Sequence, residues 1–132
     1  MKTNYRLALA VFAGVLIGIA GAKAMHAGQV TPPPAYVISE VDAMDLAGLQ
    51  KYGEKVGDTL APFNGQYHFL VVGGAKIQTL DGEPPKGIVV LAFDSSEKAR
   101  EWYDSPAYSA IGPIRQTAAK SRVFIVEGLP RE

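Results

Sequence analysis

The sequence predicts an α+β domain, and the order of its short apolar stretches is the main reason. Four stretches rich in β-branched and aromatic residues are typical of strands, and two stretches with helical apolar spacing lie between them. Gly and Pro residues separate these stretches, as is usual for turns. The order β-α-β-β-α-β in a chain of 132 residues predicts a ferredoxin-like fold, an antiparallel four-stranded sheet with the helices on one face.

The first predicted strand spans residues 35–41 and leads into the first helix. The helix begins near Leu46, after two aspartates that are both candidate caps, and its apolar residues keep helical spacing as far as Leu60. Pro62 and Asn64-Gly65 then predict the end of the helix and a turn. These residues therefore form the first β-α unit of the fold.

Three further strands are predicted over residues 66–72, 87–93 and 121–127. Gly73-Gly74 ends the first of them, and a loop with Asp81-Gly82 connects it to the next. We interpret this pair as a hairpin with a long connection.

The stretch between the last two strands predicts a helix that stops and starts again. Asp94 is a candidate N-cap, with Glu97 at the spacing of a capping box. This helix ends near Asp104, and Ser105-Pro106 repeats the start signal for a second helix that runs to about Ala119. Three residues share one face of that second helix: Tyr108, Ile111 and Arg115.

Residues 1–24 are predicted to be a secretory signal peptide. A basic start precedes the apolar residues 7–22, and Ala22-Lys23-Ala24 fits a cleavage site. The alternatives are cleavage after Ala27 and an uncleaved membrane anchor, but the apolar run is shorter than the roughly 20 residues that span a bilayer. We therefore expect a periplasmic or secreted protein without stable membrane insertion after cleavage.

The predicted linker of residues 25–34 contains three consecutive prolines, which favour an extended spacer before a domain over residues 35–129. Removing residues 1–24 takes away three basic residues and no acid, so ten basic and 13 acidic residues remain. This net charge of −3, without a Lys/Arg cluster, argues against nucleic acid as a partner. The chain has no Cys, and its acids form no metal motif, so we expect no metal site and no cofactor.

The strands also carry a prediction about assembly. A sheet with one face in water normally alternates apolar and polar residues, but residues 69–72, 88–93 and 123–126 are apolar at both parities. Helices on one face would leave the other face as a large apolar patch. We therefore predict a homodimer with the two sheets packed face to face; the alternative is a monomer in which the signal segment or the hairpin loop covers that face.

Several of these segments together resemble one family. They are residues 61–74, the strand GIVVLAF, residues 97–115 and residues 121–128, and the most specific pattern is Trp102-Tyr103-Asp104-Ser105-Pro106 with Tyr108 and Arg115. From Tyr36 to Gly128 the chain resembles the DUF1330 family, a family of unknown function within the dimeric α/β-barrel superfamily. One departure lies in the second strand, where the family often has an Arg and this chain has Val72 or its neighbours. The resemblance implies a ferredoxin-like protomer and a sheet-to-sheet dimer, and it implies no known reaction.

In relatives of this fold the pocket lies between the helices and the sheet, and this location suggests the candidate site residues. Arg115 and His68 are the catalytic candidates, because Arg115 can hold a carboxylate or enolate oxygen and His68 can act as a general base. Tyr52, Trp102 and Tyr108 are the ligand-binding candidates. Each also has a structural alternative: a solvated or ion-paired Arg, a His in the core or interface, and aromatic rings that only pack.

Two main hypotheses about function follow. The first is an exported dimeric protein that binds a small, partly apolar organic molecule, with cofactor-independent catalysis as an extension. The second is a non-catalytic structural or binding dimer, in which Trp102 and Tyr108 fill the space that a ligand would need. A third hypothesis, haem binding with His68 as axial ligand, rests on the superfamily resemblance alone.

Overall fold

The computed structural model describes residues 30–71 and 76–132, without the side chains of residues 69–71. The predicted signal peptide, the first part of the predicted linker and Gly73-Gly74 lie outside the described residues. Residues 32–132 form one compact unit. Within the described residues, no helix has the length and apolar character needed to cross a membrane.

The elements follow the predicted order, with the last helical region in two pieces. The strands are β1 (Ala35–Ala43), β2 (Gln66–Val71), β3 (Ile88–Phe93) and β4 (Ala119–Glu127), and the helices are α1 (Leu46–Leu60), α2 (Ser96–Tyr103) and α3 (Pro106–Ala118). The strand order is β2-β3-β1-β4, and every neighbouring pair is antiparallel. The predicted ferredoxin-like fold is therefore confirmed.

The caps of α2 and α3 confirm one predicted start and correct the other. Ser105 Oγ accepts a hydrogen bond from Tyr108 N at 3.2 Å, so α3 begins as predicted. The predicted cap Asp94 is wrong, because Ser95 caps α2 by accepting from Lys98 N at 3.2 Å. Asp94 instead accepts a hydrogen bond from Asn64 Nδ2 at 2.8 Å.

The core lies where the two C-terminal helices and the end of α1 cover the sheet. Trp102 is its largest fully buried side chain, at 1% exposure, and its ring packs 5.4 Å from that of Phe93 and 4.3 Å from that of Tyr108. Val56 and Leu60 of α1 are buried in the same cluster. This packing fixes α2 and the start of α3 against the inner face of the sheet.

The opposite face of the sheet, the outer face, is apolar over one half of the length of its strands. Tyr36 and Ile38 of β1 pair with Ala92 and Val90 of β3 on this side. Phe124 and Val126 of β4 are exposed although they are large and apolar. The predicted dimer would cover these side chains, and it stays a prediction.

A β-bulge interrupts β2. The register with β3 shifts between Tyr67 and Phe69, so His68 is an extra residue in the ladder. In a regular strand His68 would alternate with Leu70 and Val72 and would lie on their apolar face. The bulge breaks that alternation, and the His68 ring lies 5.8 Å from the ring of Tyr36, a residue of the outer face.

Candidate functional site

A cavity of about 640 Å³ lies between α1, α3 and the inner face of the sheet. Most of its wall is apolar, with valines and leucines from β1, β3, β4 and α1. The residues with polar groups on its wall are Ser39, Gln50, Tyr52, Glu54, Tyr67, Trp102, Tyr108 and Arg115. A concave apolar space with a few converging polar groups is the usual form of a small-molecule site.

The cavity exists because the first turns of α1 lie beside α3 and not on the sheet. Met44 N and Asp45 N both donate to the Ala118 carbonyl oxygen at 2.9 Å, which fastens the start of α1 to the end of α3. Gly48 permits this close approach, since a Cβ added there would lie 3.0 Å from the Cβ of Ala118. Leu46 is consequently 67% exposed, whereas Val56 and Leu60 at the other end of α1 are buried.

Arg115 is a buried cation on the cavity wall. It is 5% exposed; its Nε donates to Tyr108 Oη at 3.3 Å, and its Nη1 donates to Ser121 Oγ. Burial alone would lower the pKa of Arg115, but the hydroxyl of Tyr108 acts in the opposite direction, and the net pKa is raised. Within the described residues no carboxylate forms an ion pair with Arg115, although buried charges are normally paired.

The two predicted ligand-binding tyrosines meet in the cavity and extend the donor chain from Arg115. Tyr52 Oη and Tyr108 Oη lie 3.1 Å apart, although the residues come from different helices. Burial, with a further contribution from Tyr108, raises the pKa of Tyr52 far above its usual value. Tyr52 therefore keeps its proton at neutral pH and can donate or accept a hydrogen bond as a neutral phenol.

Trp102 forms part of the cavity wall and is held in place by a second hydrogen bond network. Its Nε1 donates to Thr59 Oγ1 at 2.9 Å, and that hydroxyl donates to the Val56 carbonyl oxygen at 2.7 Å. The indole N–H is thus already used, which leaves the ring of Trp102 as an apolar wall. The Trp102 side chain thus belongs both to the core cluster and to the cavity wall.

Ser39 is a cavity residue that the sequence analysis missed. It is 8% exposed, lines the cavity from the middle of β1, and its Oγ has no hydrogen bond partner among the described residues. The sequence feature that could have identified Ser39 is its position in the alternation of β1, because it shares the inward face with Ala35, Val37 and Val41. A single Ser on an apolar strand face is a weak signal, because hydroxyls there often satisfy themselves locally.

The structure does not bring His68 to this cavity. His68 lies beside a smaller pocket of about 290 Å³, together with Tyr36, Asn64, Asp94 and Arg131. The four other predicted site residues, Tyr52, Trp102, Tyr108 and Arg115, all line the large cavity. Among the residues described, no cluster of three or more His, Cys, Asp or Glu side chains could hold a metal ion.

The cavity can therefore bind an oxygen acceptor within an apolar enclosure. Arg115 supplies a permanent positive charge, and Tyr108 and Tyr52 supply hydroxyl groups in a continuous chain. Glu54 is the single carboxylate on the described wall, and it is exposed. The charge of the buried part of the site is thus positive.

The sequence matches the family described as domain of unknown function DUF1330 over residues 34–129. The chain belongs to this family. The resemblance noted from the W-Y-x-S-P-x-Y pattern is thereby confirmed, and the membership assigns no reaction. No curated protein matches the chain.

Solved structures with the same fold support the assignment of the fold. A protein of unknown function from Rhodopseudomonas palustris is 16% identical with a TM-score of 0.56, over 84% of this chain and 94% of that one. SnoaB from Streptomyces nogalater, a cofactor-independent oxygenase, is 7% identical with a TM-score of 0.54, over 75% and 96%. A protein of unknown function from Bacteroides fragilis, described as dimeric and ferredoxin-like, is 16% identical with a TM-score of 0.50, over 72% and 96%.

Proposed function

We propose that this protein binds a small, mainly apolar organic molecule and holds an oxygen atom of that molecule at Arg115, Tyr108 and Tyr52. The observation that carries the proposal is the buried guanidinium of Arg115, which has only hydroxyl partners among the described residues. A carboxylate or enolate oxygen would supply the negative charge that this cation lacks, in surroundings where charge-assisted hydrogen bonds are strong.

The size and lining of the cavity support a ligand and not a structural role. Its volume of about 640 Å³ lies within the range of roughly 300–1,000 Å³ that is usual for small-molecule sites. The structural-dimer hypothesis required Trp102 and Tyr108 to fill this space. Both side chains instead stand on the wall of the open cavity.

Cofactor-independent catalysis on the bound molecule is the second candidate. The donor chain from Arg115 through Tyr108 to Tyr52 favours it, since such donors stabilise an oxygen on which negative charge develops. SnoaB has the same fold and is a cofactor-independent oxygenase, but a shared fold does not transfer an activity. His68, the predicted general base, does not line the large cavity. It could therefore act as a base only on a ligand bound outside that cavity.

Export and dimer formation belong to the same proposal. The basic start and apolar stretch of residues 1–24 support export with cleavage after Ala24 or Ala27. The apolar half of the outer face supports a homodimer with two sheets packed together, and the dimeric protein from Bacteroides fragilis shows that this fold is compatible with dimers. Intact mass would identify the cleavage site, and light scattering would give the oligomeric state.

Native mass spectrometry of the protein purified from its own host tests ligand binding. We expect a defined additional mass on the wild type that is absent from Arg115→Met, because the variant lacks the charge that holds the ligand. Arg100→Met is the matched control, since Arg100 is exposed and pairs with Asp104 on the surface of α2. An additional mass that persists in Arg115→Met would contradict the proposed site.

A further inference from the structure

Ser39 is the buried polar group that the donor chain of Arg115, Tyr108 and Tyr52 leaves unexplained. Its Oγ is unpartnered among the described residues, although the side chain is more than nine-tenths buried. A buried hydroxyl without a partner loses its hydrogen bonds to water and gains none in return. Since Ser39 lines the cavity, an acceptor atom of a bound molecule would supply the missing hydrogen bond partner of the Ser39 hydroxyl.

The strand register places Ser39 close to Ser121, the residue whose hydroxyl accepts a hydrogen bond from Arg115. Ser39 pairs with Val123 of β4, and Val41, the next inward residue of β1, pairs with Ser121. Ser39 and Ser121 are therefore diagonal neighbours, about 7–8 Å apart for such pairs in an antiparallel sheet. Arg115 Nη1 donates to Ser121 Oγ. The guanidinium and the Ser39 hydroxyl therefore line the same part of the cavity, on the side formed by the sheet.

We propose that Ser39 and Arg115 together bind a carboxylate, with one carboxylate oxygen on each side chain. A carboxylate has two acceptor oxygens that can bridge two separate donors, whereas an enolate or phenolate has one. Each of the two hydrogen bonds would span about 2.8 Å. The inference rests on the proposed function and narrows its ligand to a carboxylic acid with an apolar body, with Ser39 as the residue that determines this specificity.

The test compares acids with their primary amides, which keep the shape and lose the negative charge. Isothermal titration calorimetry would use the full chain with hexanoate, octanoate, decanoate and 4-cyclohexylbutyrate, and with the amide of each. We expect the wild type to prefer the acid, and Ser39→Ala to lower acid affinity by about tenfold, as expected for one hydrogen bond to a charged group. The amide N–H can donate to Ser39 Oγ, but this bond joins two neutral groups, so Ser39→Ala should lower amide affinity less than acid affinity, by about threefold.

Ser109→Ala is the matched control, since Ser109 is an exposed residue of α3 outside the cavity. It should keep wild-type affinity for acids and amides, and circular dichroism would confirm that both variants are folded. If Ser39→Ala keeps the full acid affinity, the carboxylate inference is overturned while the proposed ligand site stands. If neither the acids nor the amides bind to the wild type, the inference and the proposed function are both overturned.

Discussion

The space between the helices and the sheet has two ends that differ in packing. At the closed end (Val56, Thr59, Leu60, Phe93 and Trp102) every one of these side chains except Phe93 comes from a helix, and all are buried. At the open end (Ser39, Leu46, Tyr52, Tyr108 and Arg115) the side chains surround the cavity. Helix α1 passes over both ends, so the sequence of this helix alone does not show which end is closed and which is open.

The pairing of polar groups separates the two ends more clearly than their apolar residues do. At the closed end the Trp102 N–H and the Thr59 hydroxyl satisfy each other and the backbone. At the open end the Ser39 hydroxyl has no partner among the described residues, and Arg115 has hydroxyls but no carboxylate. Complete pairing is what stability requires, whereas unused hydrogen-bonding capacity beside a cavity is what ligand recognition requires.

The largest expected effect belongs to the closed end. Trp102→Ala should lower the free energy of unfolding by about 3–5 kcal/mol, because it removes the largest fully buried side chain and the hydrogen bond from its indole N–H to Thr59. Urea denaturation measures this loss. Leu129→Ala is the control at an exposed position and should change the free energy of unfolding by less than about 0.5 kcal/mol. Equal losses in the two variants would show that the closed end is not the core.

The second largest effect belongs to the open end and concerns binding. Arg115→Met should weaken the binding of 4-cyclohexylbutyrate by about 1.5–3 kcal/mol, the usual contribution of a hydrogen bond to a charged group. The chain has one Trp, Trp102, and this residue lines the cavity, so its fluorescence reports the titration. Arg100→Met should bind as the wild type does. If Arg115→Met binds 4-cyclohexylbutyrate as tightly as the wild type does, the positive charge of Arg115 does not contribute to binding, and the proposed binding mechanism is wrong.

A smaller effect should appear at alkaline pH. Burial raises the pKa of Tyr52 in the folded protein, whereas in the unfolded chain it ionises near its ordinary pKa of about 10. Above that pH the folded state binds one more proton than the unfolded state, so stability falls as pH rises, by up to about 1.4 kcal/mol per pH unit.

Tyr52→Phe removes this group, so the variant should lose less stability than the wild type between pH 10 and pH 11. Urea denaturation at both pH values measures the difference, which we expect to be about 1 kcal/mol. Titrating groups that do not interact with Tyr52 contribute equally to both proteins and cancel. Parallel pH profiles would contradict the inferred burial of the Tyr52 hydroxyl.

Much of the fold could be predicted because its signals are local. Ser105-Pro106 marks the start of α3 unambiguously, since Ser caps well and Pro fits the first turn. The start of α2 was predicted one residue early, because Asp94 and Ser95 are both good caps and only the backbone geometry selects Ser95. Local preferences thus identify the helices, and they determine the first residue only where one cap candidate stands alone.

One contact within the site was predictable from the spacing of a single element. Tyr108 and Arg115 lie seven residues apart on α3, and helical spacing brings them together as predicted. The bulge that moves His68 out of the expected alternation has no sequence signal here, and the importance of Ser39 depends on partners that it lacks. Both features arise from tertiary structure, which a single sequence does not encode in its local pattern.

The most direct test compares two hydroxyl deletions, Thr59→Val at the closed end and Ser39→Ala at the open end, by the free energy of unfolding without ligand. Thr59→Val should lose about 1–3 kcal/mol, because it leaves the Trp102 N–H buried and unpaired. Ser39→Ala should lose nothing or gain stability, because its hydroxyl makes no hydrogen bond within the described residues. A loss of 1 kcal/mol or more in Ser39→Ala, equal to that of Thr59→Val, would contradict the proposal that the open end keeps its polar groups for a ligand.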